Sequence, residues 1–206
     1  MSAADERALL LGLIAALRRA FTDPAGANAA ASAEIEHVDA LISAATAAPR
    51  PLQPTHHPLT QHLPAVLDLA DKSAPDTAAA LRSLAARLPW RYGYEPRGDA
   101  PGLEGAMGWA ELIGPLAPIV SHEVCFGLTL IGPRAHYLPH RHPAVELYRV
   151  VVGHPQWTVG SVTSLRAPGA AIFHDSNVVH AMRTEDEPLL AIYSWTGDIE
   201  TPSIWA

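Results

Sequence analysis

The 206-residue sequence predicts a mainly β fold, an antiparallel barrel or jelly roll that carries an α-helical N-terminal layer. Three observations predict it. Apolar residues recur at helical spacing as far as Leu88; from Met107 onward they form short runs separated by Gly and Pro turns; and the second half gathers histidines and a glutamate at a spacing that suits one ion. The expected organisation is a helical extension over residues 1–100 packing on a barrel over residues 101–206, as one compact unit.

Leu9, Leu10, Leu13, Ile14 and Leu17 define a helix over residues 4–21, which Asp23-Pro24 ends. An alanine-rich helix over residues 29–47 places Ile35, Val38, Leu41 and Ile42 on one face. Residues 49–58, with Pro51 and Pro54, read as a loop, and His56, His57 and His62 as a solvated cluster with no carboxylate or thiolate beside it. Two shorter helices are expected over residues 63–69 and 76–88. Residues 87–101 form the passage to the β half, and Trp90, Tyr92 and Tyr94 there read as packing. Strands are expected over residues 109–113, 124–131, 147–152, 157–162, 170–173 and 189–195.

Fourteen Lys and Arg against 21 Asp and Glu give a net charge of -7, which excludes the basic stripe a nucleic-acid partner needs. A single cysteine, Cys125, leaves no intrachain disulfide and no Cys-based zinc motif, and its apolar flanks make it a small buried residue. Asp5 and Glu6 precede the first apolar run and Arg18 and Arg19 follow it, opposite to the polarity of a secretory signal. With no apolar run of the roughly 18–20 residues that span a bilayer, no membrane partner and a cytoplasmic location are expected.

His140, His142 and Glu146 stand in an H-x-H-x3-E pattern, and Gly153 follows after six residues. On an extended strand, side chains at i and i+2 share a face, so the two histidines can converge, and Glu146 shares its face with Tyr148. Pro139 and Pro143 mark a loop or sheet edge, so this parity holds piecewise. Two imidazoles and a carboxylate suit one divalent transition metal ion, and zinc, iron, manganese, cobalt and nickel all accept such ligands. A further ligand is expected from His180, behind the turn signal Pro168-Gly169. His136 and His174 read as neighbours of the ligands or as surface residues.

The string from His140 to Gly153 resembles the first cupin motif, and the segment ending in His180 resembles the second, which makes the fold a single cupin. In the second motif Asp175 and Asn177 replace the usual proline and glycine, and Thr184 the trailing asparagine; Asn tolerates positive φ better than most residues, so Asn177 can make the turn. Within the cupins the chain is similar to the bacterial dimethylsulfoniopropionate (DMSP) lyases and lyase-like relatives. The likeness rests on Tyr137, on His142-Pro143-Ala144-Val145-Glu146-Leu147-Tyr148, on Val179-His180-Ala181-Met182-Arg183-Thr184 and on Trp195, all in the last hundred residues.

The resemblance implies a small-molecule substrate and a β-elimination: loss of the proton next to the carboxylate and release of dimethyl sulfide, leaving acrylate. Tyr148 matches the tyrosine implicated as base, and a nearby cation lowers a phenol pKa from about 10 toward neutrality. Tyr137 is the alternative base or an orienting hydroxyl. Trp195, followed by Tyr193, Phe173 and Trp109, is the expected aromatic surface for the sulfonium. In some of the resembling lyases the histidine at the place of His140 sits beside the ligands rather than among them. The apolar helical faces offer pairing as a homodimer. Another metal-dependent cupin enzyme, a dioxygenase or isomerase, and a metabolite-binding cupin without turnover are the competing expectations.

Overall fold

The computed structural model describes residues 2–206. Helix α1 (Ala3–Phe21) starts from a capping box: Ser2 Oγ accepts from the Asp5 amide while the Asp5 carboxylate accepts from the Ser2 amide, both at 3.1 Å. Helix α2 (Ala29–Ala44) starts on Asn28, whose side chain accepts from the Ala31 amide. Asp39 on α2 receives the Arg18 guanidinium of α1 at 2.8 Å. A 3-10 turn (Pro58–His62) leads into α3 (Leu63–Ser73) and α4 (Pro75–Arg82). His57 is not simply solvated, because its Nδ1 caps that turn by accepting from the Leu59 amide.

The helix expected over residues 76–88 stops at Arg82. The chain turns at Ser83-Leu84 and continues as a short 3-10 segment (Ala85–Arg87), which lets Leu84, Ala85, Leu88 and Trp90 all enter the core. Burial on several sides outweighs the continuation of one apolar stripe. A four-residue helix α5 (Leu103–Ala106) then opens the β half.

Eleven strands follow in two sheets. In one, β1 (Met107–Gly114), β2 (Ile119–Val120), β3 (Val124–Ile131), β5 (Val145–Val152), β8 (Ala171–His174) and β10 (Leu189–Thr196) are ordered β2-β1-β3-β10-β5-β8. In the other, β4 (His136–Arg141), β6 (Gln156–Val159), β7 (Val162–Leu165), β9 (His180–Arg183) and β11 (Ile204–Trp205) are ordered β11-β4-β9-β6-β7. The pairing is antiparallel except between β1 and β2. The strand expected over residues 157–162 is instead a hairpin of β6 and β7, turning at Gly160 with φ +58°. Pro139 lies exposed inside β4, where its missing N–H coincides with a break in register between β4 and β9.

Both faces of the six-stranded sheet are covered. Phe126, Leu128 and Leu130 of β3, Ile192 of β10 and Leu147 of β5 join the core formed with the helices, where Phe126 meets Phe21 edge-on at 5.4 Å. Alternate residues, Cys125, Tyr148, Val150, Ala191 and Tyr193, point into the barrel and form a second core. Phe173 packs on the helical side, opposite its buried neighbour His174, and so leaves the set of sulfonium-facing aromatics. Gly153 ends β5 at φ +90°, and a Cβ there would stand 2.3 Å from the Pro188 carbonyl oxygen, so only glycine fits.

Arg149 ties the layers together. Its buried guanidinium donates from Nη1 to the carbonyls of Ala25 at 2.6 Å and Gly169 at 2.7 Å, and from Nη2 to those of Phe21 at 3.1 Å and Asp23. Three of these carbonyls belong to the end of α1 and the connection to α2, where helix-terminal acceptors lack partners of their own. Arg149→Met keeps the apolar bulk and strands those acceptors. The expected loss, on the order of 3 kcal/mol, is read as a lower urea midpoint at unchanged slope.

Candidate metal centre and its cavity

Glu146 lies at the centre of the barrel, 1% exposed. The register that pairs β5 with β10 sets it opposite Trp195, and that with β8 opposite His174. Trp195 Nε1 donates to Oε1 at 2.7 Å, and His174 Nδ1 lies 2.8 Å from Oε2. The Nε2 atoms of His142 and His180 each lie 3.2 Å from the same Oε2. His142 follows β4 in the loop to β5, and His180 opens β9, so with β8 and β10 four separate segments converge on one carboxylate.

The histidine tautomers follow from their partners. Nδ1 of His140, His142 and His180 lies 2.8, 3.0 and 3.0 Å from the backbone carbonyls of Leu138, Ala144 and Val178. A carbonyl only accepts, so each ring donates Nδ1–H, and the remaining nitrogen, Nε2, is the one left to bind an ion. At His142 burial disfavours the charged ring, but the Glu146 carboxylate outweighs it and the imidazole pKa is raised. His180 Nε2 is buried with no hydrogen-bond partner despite its closeness to Glu146.

One ligand atom from each of His142, Glu146 and His180 lies within 4.8 Å of the others. Ligands about 2.0–2.1 Å from an ion at tetrahedral angles stand about 3.3 Å apart, which the two 3.2 Å separations match. The orphaned His180 nitrogen and the shared carboxylate oxygen therefore fit a divalent ion. His140 stands next to this group, its ring centroid 4.1 Å from that of His180 and 6.4 Å from that of His142. Burial, then the neighbouring His180, hold its imidazole well below the usual range. The same two causes bring His174 down to about 4. His136 is half-buried at the start of β4 and receives Arg183 at 3.1 Å, away from Glu146.

A cavity of about 310 Å³ opens onto Glu146, His140 and His142. Tyr137, Tyr148, Tyr193, Trp195 and Trp109 all line it, so the sequence-derived aromatic candidates other than Phe173 meet in one place. Tyr148 is buried, and burial first, then the Glu146 carboxylate, push its phenol well above the ordinary value, while the Thr129 hydroxyl acts the other way. The protein alone thus does the reverse of the lowering expected from a cation. Trp195 differs from a free aromatic wall in that its N–H is committed to Glu146 and its ring lies tilted over His142 at 4.2 Å.

Several lining residues escaped sequence reasoning. Tyr94, assigned to packing, hydrogen-bonds through its hydroxyl to that of Tyr137, which in turn stacks on His140 at 3.8 Å. Trp205 of β11 stacks on Tyr94 at 4.1 Å. Glu111 and Arg91 face the cavity from the far side, where burial raises the Glu111 carboxyl. Nothing in their local pattern marks them; they arrive by contacts between distant segments. The motif substitutions do have a visible reason: Asn177 holds φ +60° and donates its amide to the His142 carbonyl at 2.8 Å, and Thr184 Oγ1 donates to the Gly132 carbonyl at 2.6 Å.

Two facing sheets with inward ligand-competent histidines and a glutamate define a cupin. More particularly, the chain belongs to the dimethylsulfoniopropionate lyase family, whose model matches residues 31–191. It is 34% identical over 164 residues to the putative DMSP lyase DddL of Cereibacter sphaeroides, spanning 78% of this chain and 68% of that protein. It is 29% identical over 190 residues to the DMSP lyase DddQ of Ruegeria pomeroyi, spanning 89% and 94%. The crystal structure of DddQ from Ruegeria pomeroyi shares the fold at a TM-score of 0.80, with 24% identity over 97% of this chain and 96% of that one. A chain from the crystal structures of the DMSP lyases RdDddP and RnDddQII superposes at 0.74, with 25% identity over 98% and 99%. No helix among the described residues is long and apolar enough to cross a membrane.

Cys125, 4% exposed and beside Glu111, has its thiol pushed up by burial and by that carboxylate. Thiolate is the reactive form, so iodoacetamide at pH 8 is expected to leave the native protein unlabelled and to label it fully in denaturant, read by intact mass.

Proposed function

We propose that this chain is a divalent-metal-dependent lyase that cleaves dimethylsulfoniopropionate by β-elimination to dimethyl sulfide and acrylate. The observation that carries the reading is the His142–Glu146–His180 group at an aromatic cavity, with Tyr148 buried beside Glu146. Membership of the family, and the match to 94% of the length of a relative that bears the name DMSP lyase, support it.

In this reading His142, Glu146 and His180 hold the ion, and His140 completes the set or orients the substrate carboxylate from beside it. A bound divalent ion supplies Lewis acidity, stabilising negative charge that builds next to the carboxylate and offsetting the burial that raises the Tyr148 phenol. Tyr148 takes the proton from the carbon next to the carboxylate. The pair left behind forms the double bond, and the C–S bonding electrons leave with sulfur. Tyr137, held between Tyr94 and His140, orients the substrate. The faces of Trp195, Tyr193 and Trp109 receive the sulfonium, which has no hydrogen to donate; such cation–π contacts contribute about 0.5–2 kcal/mol.

Headspace gas chromatography of dimethyl sulfide, run with zinc, iron, manganese, cobalt and nickel in turn, tests the reading. The wild type is expected to release the gas, and Tyr148→Phe to lose about 10²–10⁴-fold in kcat at unchanged metal content. Glu146→Gln and His180→Ala are expected to lose the ion itself, with an affinity drop in chelator competition beyond the roughly 10–100-fold typical of an outer partner. No release with any of the five metals overturns the DMSP assignment. Full activity in Tyr148→Phe removes Tyr148 as the base.

A further inference from the structure

His174 is the fourth buried histidine at this centre, and its ring presents the opposite nitrogen to Glu146 from that presented by His142 and His180. Its Nε2 lies 3.0 Å from Trp157 Nε1. An indole nitrogen can only donate, so this Nε2 accepts and carries no proton. In the neutral ring the proton is then on Nδ1, which lies 2.8 Å from Glu146 Oε2 and donates to it. His140, His142 and His180 each use Nδ1–H on a carbonyl and leave Nε2 for an ion. His174 turns a proton, not a lone pair, toward the centre.

The contact is built into the fold from both sides. Glu146 and His174 are direct partners across β5 and β8, so register sets their distance. Trp157 comes from β6 in the opposite sheet, and both it and His174 are 0% exposed. Without the indole, the ring could carry its proton on Nε2 and present a bare Nδ1 next to Glu146, where a divalent ion would take it as another imidazole ligand.

We propose that Trp157 keeps His174 out of the metal's coordination, holding the tautomer in which His174 positions Glu146 instead of ligating beside it. His174 and Trp157 are thus positioning residues. With Trp195 donating to Oε1 at 2.7 Å, the carboxylate is gripped at both oxygens. The ligand set stays at the group around Glu146, and a coordination position stays free for a substrate oxygen, as a catalytic site requires. The proposal rests on the cluster binding a divalent ion and not on the identity of the substrate, so failure of the DMSP assay leaves it standing.

The test reads the tautomer directly in the unaltered protein, by imidazole ¹⁵N–¹H correlation NMR on metal-free and zinc-loaded samples. The expected result is a protonated Nδ1 and an unprotonated, zinc-free Nε2 for His174 in both. A bare Nδ1, or a zinc-shifted His174, overturns the proposal. In the cobalt-loaded protein, Trp157→Phe is expected to shift the visible d–d bands as a new nitrogen enters, and Trp157→Phe/His174→Ala to bring them back. Bands that do not move in a folded Trp157→Phe also overturn it. Should that variant fail to fold, the wild-type NMR still decides.

Discussion

A carboxylate buried at the centre of a barrel is the constraint on which the rest of this structure depends. An isolated charge in such a place is prohibitively costly, and burial alone would raise the Glu146 carboxyl. His142 and the other side chains that face the carboxylate outweigh burial and hold it well below the usual range. Those partners come from β8, β10 and the ends of β4 and β9. Slipping β5 by one residue against β8 or β10 would put Leu147 in place of Glu146 and leave two donors facing a hydrocarbon. The same polar network that prepares the centre therefore specifies the pairing of the strands around it.

Strand β5 carries a second buried charge of opposite sign on its other face. Glu146 looks into the barrel, while Arg149, three residues on, looks toward the helices and binds the end of α1 and the connection that follows. A single extended segment thus anchors both the centre and the helical layer. The helices carry no group of the centre, yet their packing on Leu147 and Val151 stiffens the strand that presents Glu146 and Tyr148. A site on a strand held from both faces needs little rearrangement to act.

Much of this was legible in the sequence because the informative features are local. The i, i+2 parity of Glu146 and Tyr148, the helical stripes of α1 and α2, the boundaries of β3 and the turn at Asn177 follow from short-range patterns, and the cupin and lyase resemblances follow from contiguous motifs. Tyr94, Glu111 and Arg91 were not legible, since they reach the cavity through contacts between segments far apart in the chain. The break after Arg82 escaped for a related reason: Leu84 and Leu88 fit a helical stripe, but each finds more burial once the helix has stopped. Trp195 was recognised as an aromatic of the centre, whereas its N–H contact with Glu146 depends on the register of β10 against β5.

What a sequence states least well is the direction of a lone pair. Four buried histidines surround this centre, and residue type alone makes them equivalent ligands. Their hydrogen bonds make them unequal: a carbonyl on Nδ1–H leaves a bare Nε2 to face the centre, while at His174 an indole occupies Nε2 and leaves Nδ1–H to face it. The number of imidazoles offered to an ion is thus set by groups outside the ligand set, here three backbone carbonyls and one tryptophan. Tyr148 follows the same logic in another form. Its hydroxyl lies where burial and a carboxylate both oppose ionisation, so the surroundings fixed by strand register, not the residue type, decide how readily the phenol gives up its proton.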